Sequence, residues 1–98
     1  MSTGVSWHFN KARLAEALSL WKATGPDLVM RAHVNEALMD LITDPVHSGT
    51  EDPQSPGVFH REIVTGTGVR IGILYAIASL EDREVAVADI RSSSSEGN

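Results

Sequence analysis

The strongest constraint on the fold is a regular alternation in the second half of the chain. Large apolar residues occupy every second position over nine consecutive residues, and they are Val69, Ile71, Ile73, Tyr75 and Ile77. A period of two is typical of a β-strand with one face in the core and the other uncovered. The pattern predicts the central strand of a sheet that is covered on one side.

Two more strands are predicted on either side of this central strand in the sequence. The segment from Val58 to Val64 is rich in branched and aromatic residues, and the glycines and threonines that follow it are typical of a hairpin turn. Near the end of the chain, Val85 and Val87 alternate with alanines before Ile90. The three strands together predict an antiparallel meander.

The first half of the chain predicts a short strand followed by two helices. Val5, Trp7 and Phe9 alternate as in a strand, and apolar spacing typical of a helix then runs from about residue 11 to 24 and from about 27 to 43. Gly25 and Pro26 suit the end of one helix and the start of the next. Residues 45–57 are rich in Pro, Gly, Ser and acidic residues, which indicates a long exposed loop.

Composition indicates one α+β domain over residues 1–91, in which the sheet packs on the two-helix hairpin, and a disordered tail over residues 92–98. The chain has 98 residues, of which 42% are hydrophobic, and it contains no cysteine. The longest apolar stretch is too short for a membrane helix, and no signal peptide is visible. We therefore expect a cytoplasmic protein with no membrane partner and no cofactor.

Several short motifs resemble the RelE/ParE superfamily of bacterial toxins from type II toxin–antitoxin pairs. The first helix contains Leu20-Trp21, the second closes with Leu41, Asp44 and Pro45, and Gly49 follows in the loop. The nearest likeness is the stretch from Val69 to Ile77 with Arg70 near its start and Leu74-Tyr75 near its end, followed by an acidic turn and a closing strand. The similarity in motif order extends from Val5 to Arg91.

The resemblance implies a toxin-like protein that is neutralised by an antitoxin protein. RelE-like members cut mRNA in the ribosomal A site with basic residues and sometimes a Tyr or His, whereas ParE-like members act on DNA gyrase. The resemblance therefore implies either a ribosome-dependent mRNA interferase or a gyrase inhibitor, with the ribosome and mRNA or gyrase as the target.

Some features favour an alternative, a non-catalytic protein–protein interaction domain on the same scaffold. When Leu74-Tyr75 is aligned, Gly72 stands where many members carry an arginine. The chain has a formal net charge of −5, which opposes long-range attraction to nucleic acid. Serines follow Arg91, where ribonuclease members place basic and aromatic residues. These differences leave it open whether the chain is an mRNA endonuclease.

The candidate catalytic residues are those able to neutralise a phosphate or transfer a proton, namely Arg70, His60 and Arg91. The candidate binding residues beside them are Arg61, Glu62 and Gly72. If Phe59 faces the core, strand alternation places His60 and Glu62 with Arg70 on the uncovered face and Arg61 on the helix side or at its rim. A structural alternative is that these arginines pair with nearby carboxylates across the sheet.

No metal site is predicted. The four histidines lack the spacing of a recognisable ligand set, and cysteine ligands are ruled out by composition.

Overall fold

The computed structural model describes residues 7–94, which form a mixed five-stranded sheet with two helices on one face. The elements in chain order are β1 (His8–Phe9), α1 (Lys11–Lys22), α2 (Leu28–Thr43), β2 (Thr50–Glu51), β3 (Val58–Val64), β4 (Val69–Ser79) and β5 (Glu84–Ser94). The predicted α+β class is confirmed.

The sheet has the order β1-β5-β4-β3-β2, so β4 lies at its centre. The strands β3, β4 and β5 form an antiparallel meander, as the sequence predicted. The edge strand β1 runs parallel to β5, with His8 opposite Glu84 and Phe9 opposite Val85. This parallel pairing makes the sheet mixed.

Side-chain caps define where both helices begin. The Asn10 side chain accepts a hydrogen bond from the Arg13 amide at the start of α1, and the Asp27 side chain accepts one from the Met30 amide at the start of α2. Such caps satisfy amides that have no partner within the helix. Gly25 has φ of +82°, a left-handed conformation that suits the tight connection between the helices.

The core lies between the two helices and the covered face of the sheet. From the helices it contains Trp21, Val34 and Leu41, and from the central strand Ile71, Ile73 and Tyr75, all of them buried. The inward side of β4 is the one that the alternation predicted, and each helix buries apolar residues, as its helical spacing predicted.

Two features differ from the sequence prediction. The loop after α2 contributes a short edge strand, β2, that the proline-rich and glycine-rich composition did not indicate; it pairs with β3. The strand β5 continues through Ser94, past the predicted domain boundary at residue 91, because its pairing with β4 extends to the serines. Val5 and residues 95–98 lie outside the described part of the chain.

Candidate functional site

The face of the sheet opposite the helices, here called the open face, carries most of the predicted site residues. It is formed by the outward-facing residues of β3, β4 and β5. The cross-strand register puts Glu62 opposite Gly72 and Gly72 opposite Arg91, so these three residues lie in one row across the sheet. The neighbouring row contains His60, Leu74 and Asp89.

A shallow depression of about 310 Å³ lies at the centre of the open face. Its lining residues are His60, Gly72, Leu74, Asp89 and Arg91. A Cβ added to Gly72 would lie 3.2 Å from Nε2 of His60, so the imidazole reaches from β3 across the backbone of β4. The ring can occupy this position because Gly72 has no side chain.

An irregularity in β5 brings Asp89 and Arg91 to the open face. Val87 pairs with Tyr75, and Asp89 pairs with Leu74, which leaves Ala88 without a partner residue on β4. This extra residue is a β-bulge, and it shifts the alternation of the strand by one position. As a result, Val87 and Ile90 are both buried, whereas Arg91 is exposed.

Both arginines on the open face contact carboxylates of the same face. Nη1 of Arg70 lies 3.4 Å from Oε2 of Glu62, and Nε of Arg91 contacts Oδ2 of Asp89. Exposed pairs of this kind contribute only about 0–1 kcal/mol to stability, because water and salt screen them. Breaking either pair therefore costs the fold little.

Arg61 is separated from the other predicted site residues. It points to the helix side, where Nη2 donates a hydrogen bond of 2.9 Å to Oδ2 of Asp40 and Nη1 donates one of 3.1 Å to the Ser48 carbonyl. Its side chain is 26% exposed. Arg61 thus ties β3 to α2 and to the loop after it, in agreement with the position expected from strand alternation.

The structure therefore brings together Arg70, His60, Arg91, Glu62 and Gly72 on one face. Sequence reasoning did not identify Leu74 or Asp89 as lining residues. The signal that identifies both is the cross-strand register, because Leu74 lies opposite His60 on one side and opposite Asp89 on the other.

Tyr75 lies on the covered side and has a structural environment. Its hydroxyl donates a hydrogen bond of 2.6 Å to the carbonyl oxygen of Pro45, and its ring stacks on Phe59 at a centroid distance of 5.5 Å. Burial raises the pKa of Tyr75 to about 12, which disfavours the phenolate. Tyr75 is therefore a core residue, as the alternation of the central strand predicted, and its hydroxyl has a partner.

Within residues 7–94, no group of three or more histidine or acidic side chains is arranged to hold a metal ion. In the same part of the chain, neither helix combines the length and apolar character required to cross a membrane. Comparisons with family profiles, with curated proteins and with solved structures found no match to this chain.

Proposed function

We propose that this chain is a toxin-like domain of the RelE/ParE type that acts by binding a protein through the open face. The bound protein is a cellular target such as DNA gyrase, and an antitoxin neutralises the domain by covering the same face. The proposal rests on the sequence resemblance and on one observation, the pairing of both open-face arginines with carboxylates of the same face.

This pairing favours protein binding over RNA cleavage. To stabilise the charge that develops on a phosphate, an arginine must be directed at the reacting phosphate. Arg70 and Arg91 are instead directed at Glu62 and Asp89, and these carboxylates would repel RNA. A protein surface with both signs of charge can pair with all four side chains and can cover Leu74 between them.

A second candidate, the mRNA interferase, is supported by the position of His60. Its imidazole lies over Gly72 in the same depression that Arg91 lines, and an imidazole is a suitable proton-transfer group near neutral pH. The two candidates differ in their dependence on this ring. Protein binding requires the charged and apolar contacts of the face, whereas cleavage requires proton transfer.

The test is induced expression in a bacterial host, with growth and the 5′ ends of cellular mRNA measured together. We expect growth arrest with uncut mRNA. The variant His60→Gln should retain the arrest, whereas Arg70→Ala/Arg91→Ala should relieve it. Arg13→Ala removes an exposed arginine from α1 and is the matched control, which should behave like the parent.

Two outcomes would overturn the proposal. Ribosome-dependent mRNA cleavage that is lost in His60→Gln would identify an interferase. Normal growth at high yield of folded protein would remove the toxin activity and favour the non-catalytic interaction domain, for which co-purification with the product of an adjacent reading frame is the direct assay.

A further inference from the structure

The outer side of α2, turned away from the sheet, carries an apolar surface that the proposed function does not use. Leu28 is 79% exposed, Val29 is 59% exposed and Met39 is 61% exposed. These side chains border a broad concavity of about 620 Å³ whose lining also includes Ala32, His33, Asn35 and Glu36. Three large apolar side chains exposed on one side of a single helix are a candidate interaction surface. We call these seven residues the α2 outer surface.

The α2 outer surface is complementary to itself when two copies of the helix run in opposite directions. Leu28 and Val29 lie at one end, Met39 lies at the other, and the small Ala32 lies between them. If the two-fold axis passes at the level of Val34, the end of one helix that carries Leu28 and Val29 lies against the end of the other that carries Met39. Each large apolar side chain then meets another, as an isologous interface requires.

The polar residues of this surface fit the same arrangement. At the axis level, Ala32 of one copy faces Asn35 and Glu36 of the other, so a small side chain meets the longer ones. His33 and Glu36 lie toward the same side of the helix, because residues three apart are neighbours on its surface. The symmetry places Glu36 of each copy near His33 of the other, where a carboxylate can accept a hydrogen bond from an imidazole.

From this geometry we infer that the chain forms a homodimer through antiparallel packing of α2 on α2 of a second copy. The interface is small, since it is based on one helix from each copy, and we expect a concentration-dependent dimer with a dissociation constant on the order of 10–100 µM. The open faces remain free in this dimer because the α2 outer surface lies on the opposite side of the molecule.

Sedimentation equilibrium of the full chain, from about 1 µM to about 300 µM, measures the association directly. We expect a monomer–dimer equilibrium that Met39→Glu weakens by at least about tenfold, because a carboxylate would be buried against apolar side chains. Leu80→Glu is the matched control: Leu80 is 73% exposed in the turn between β4 and β5, and its substitution should leave the equilibrium unchanged.

Disulfide cross-linking tests the orientation of the two helices. The natural chain has no cysteine, so introduced thiols are the only ones present. The double variant Val29→Cys/Met39→Cys should form a covalent dimer on mild oxidation, because position 29 of one copy lies beside position 39 of the other. Met39→Cys alone should not, because the two copies of position 39 are about 15 Å apart along the helices, beyond disulfide reach.

A monomer at every concentration would overturn the proposal, and it would also be the outcome if another protein or another segment of the chain covers this surface. A dimer that Met39→Glu leaves intact, or one in which Met39→Cys alone is cross-linked efficiently, would overturn the antiparallel α2 interface. Circular dichroism of each variant establishes that it is folded. Neither sedimentation nor cross-linking depends on growth arrest. A failure of the dimer proposal can therefore be distinguished from a failure of the proposed toxin function.

Discussion

At the scale of single residues, Tyr75 links the centre of the sheet to the loop that follows α2. Its hydroxyl is buried and bonds to the Pro45 carbonyl, while the ring stacks on Phe59 of the neighbouring strand. Gly49 of the same loop passes so close to Tyr75 and to the His60 backbone that a side chain has no room there. Two predictions follow from these contacts.

The first prediction concerns pH. Folding raises the pKa of Tyr75 from 10.0 to about 12, so the unfolded chain loses its phenol proton first as pH rises. The stability tied to the neutral phenol is complete below about pH 10 and is lost as pH rises toward about 12. Tyr75→Phe should lack this contribution. It should also cost about 1–3 kcal/mol at neutral pH, because the Pro45 carbonyl loses its buried donor.

Urea unfolding of both proteins at about pH 8 and about pH 11 gives the comparison. The parent should lose more stability than Tyr75→Phe between the two values. Since the chain has one tyrosine, ultraviolet difference absorbance reports its ionisation without interference from other phenols. Equal losses in the two proteins would contradict the buried phenol.

The second prediction concerns Gly49→Ala. The added Cβ would lie 2.5 Å from the Tyr75 hydroxyl oxygen and 2.8 Å from the His60 carbonyl oxygen, so the loop or β3 must shift. We expect a loss of about 1–3 kcal/mol in the free energy of unfolding, typical of overpacking. In Gly66→Ala the new Cβ meets nothing within 4 Å, and this control should unfold near the parent midpoint. Equal denaturation midpoints for the two variants would show that the loop gives way freely.

At the scale of elements, the bulge at Ala88 decides which residues of β5 reach the open face. Before it, Val85 and Val87 face the core; after it, Ile90 does. If the same residues, Ala88 included, paired without a bulge, strict alternation would direct Asp89 and Arg91 toward the helices. The candidate site therefore depends on a single irregularity in one strand.

The third prediction is that the fold tolerates deletion of Ala88. Without this extra residue β5 alternates regularly, with Val87 and Ile90 still facing the core and Asp89 and Arg91 still facing outward. Loss of the local bend should cost about 1–3 kcal/mol. Ala88→Gly keeps the chain length and should cost no more than about 1 kcal/mol. Thermal unfolding followed by circular dichroism compares the two. A deletion variant that is unfolded where Ala88→Gly is folded would contradict this prediction and show that the fold requires the bulge.

At the scale of the whole molecule, the two uncovered surfaces have different chemistry and lie on opposite sides. The open face is polar and carries charges of both signs, whereas the α2 outer surface is mainly apolar. The chain as a whole has a net charge of −5. This charge makes long-range attraction to a polyanion unfavourable.

The fourth prediction separates binding from folding at the open face. If the open face binds a target protein as proposed, Arg70→Ala should weaken that complex by about tenfold, and salt should weaken the parent complex more than the variant complex. Its effect on thermal stability should be small, because Arg70 and its Glu62 pair are exposed. Calorimetric titration at two salt concentrations and a melting curve supply the measurements. A large stability loss would mark Arg70 as structural, and unchanged affinity would remove it from the site.

The sequence by itself determined the elements that carry a periodic pattern: both helices, the central strand and its inward-facing residues. Periodicity is a local property, and burial against any apolar surface imposes it. The sequence also placed Arg70 and Gly72 on the uncovered face and Arg61 on the other, since alternation within a strand needs no knowledge of its neighbours. The resemblance to a toxin superfamily likewise came from local motifs.

Only the tertiary structure decided how the strands align. The parallel pairing of β1 with β5, the short strand β2 and the extension of β5 to Ser94 all depend on contacts between residues distant in sequence. So does the bulge at Ala88, which turns Asp89 and Arg91 toward His60 and Gly72. Register is set by the fit of one strand against another, and that fit has no local signature in a stretch of alternating valine and alanine.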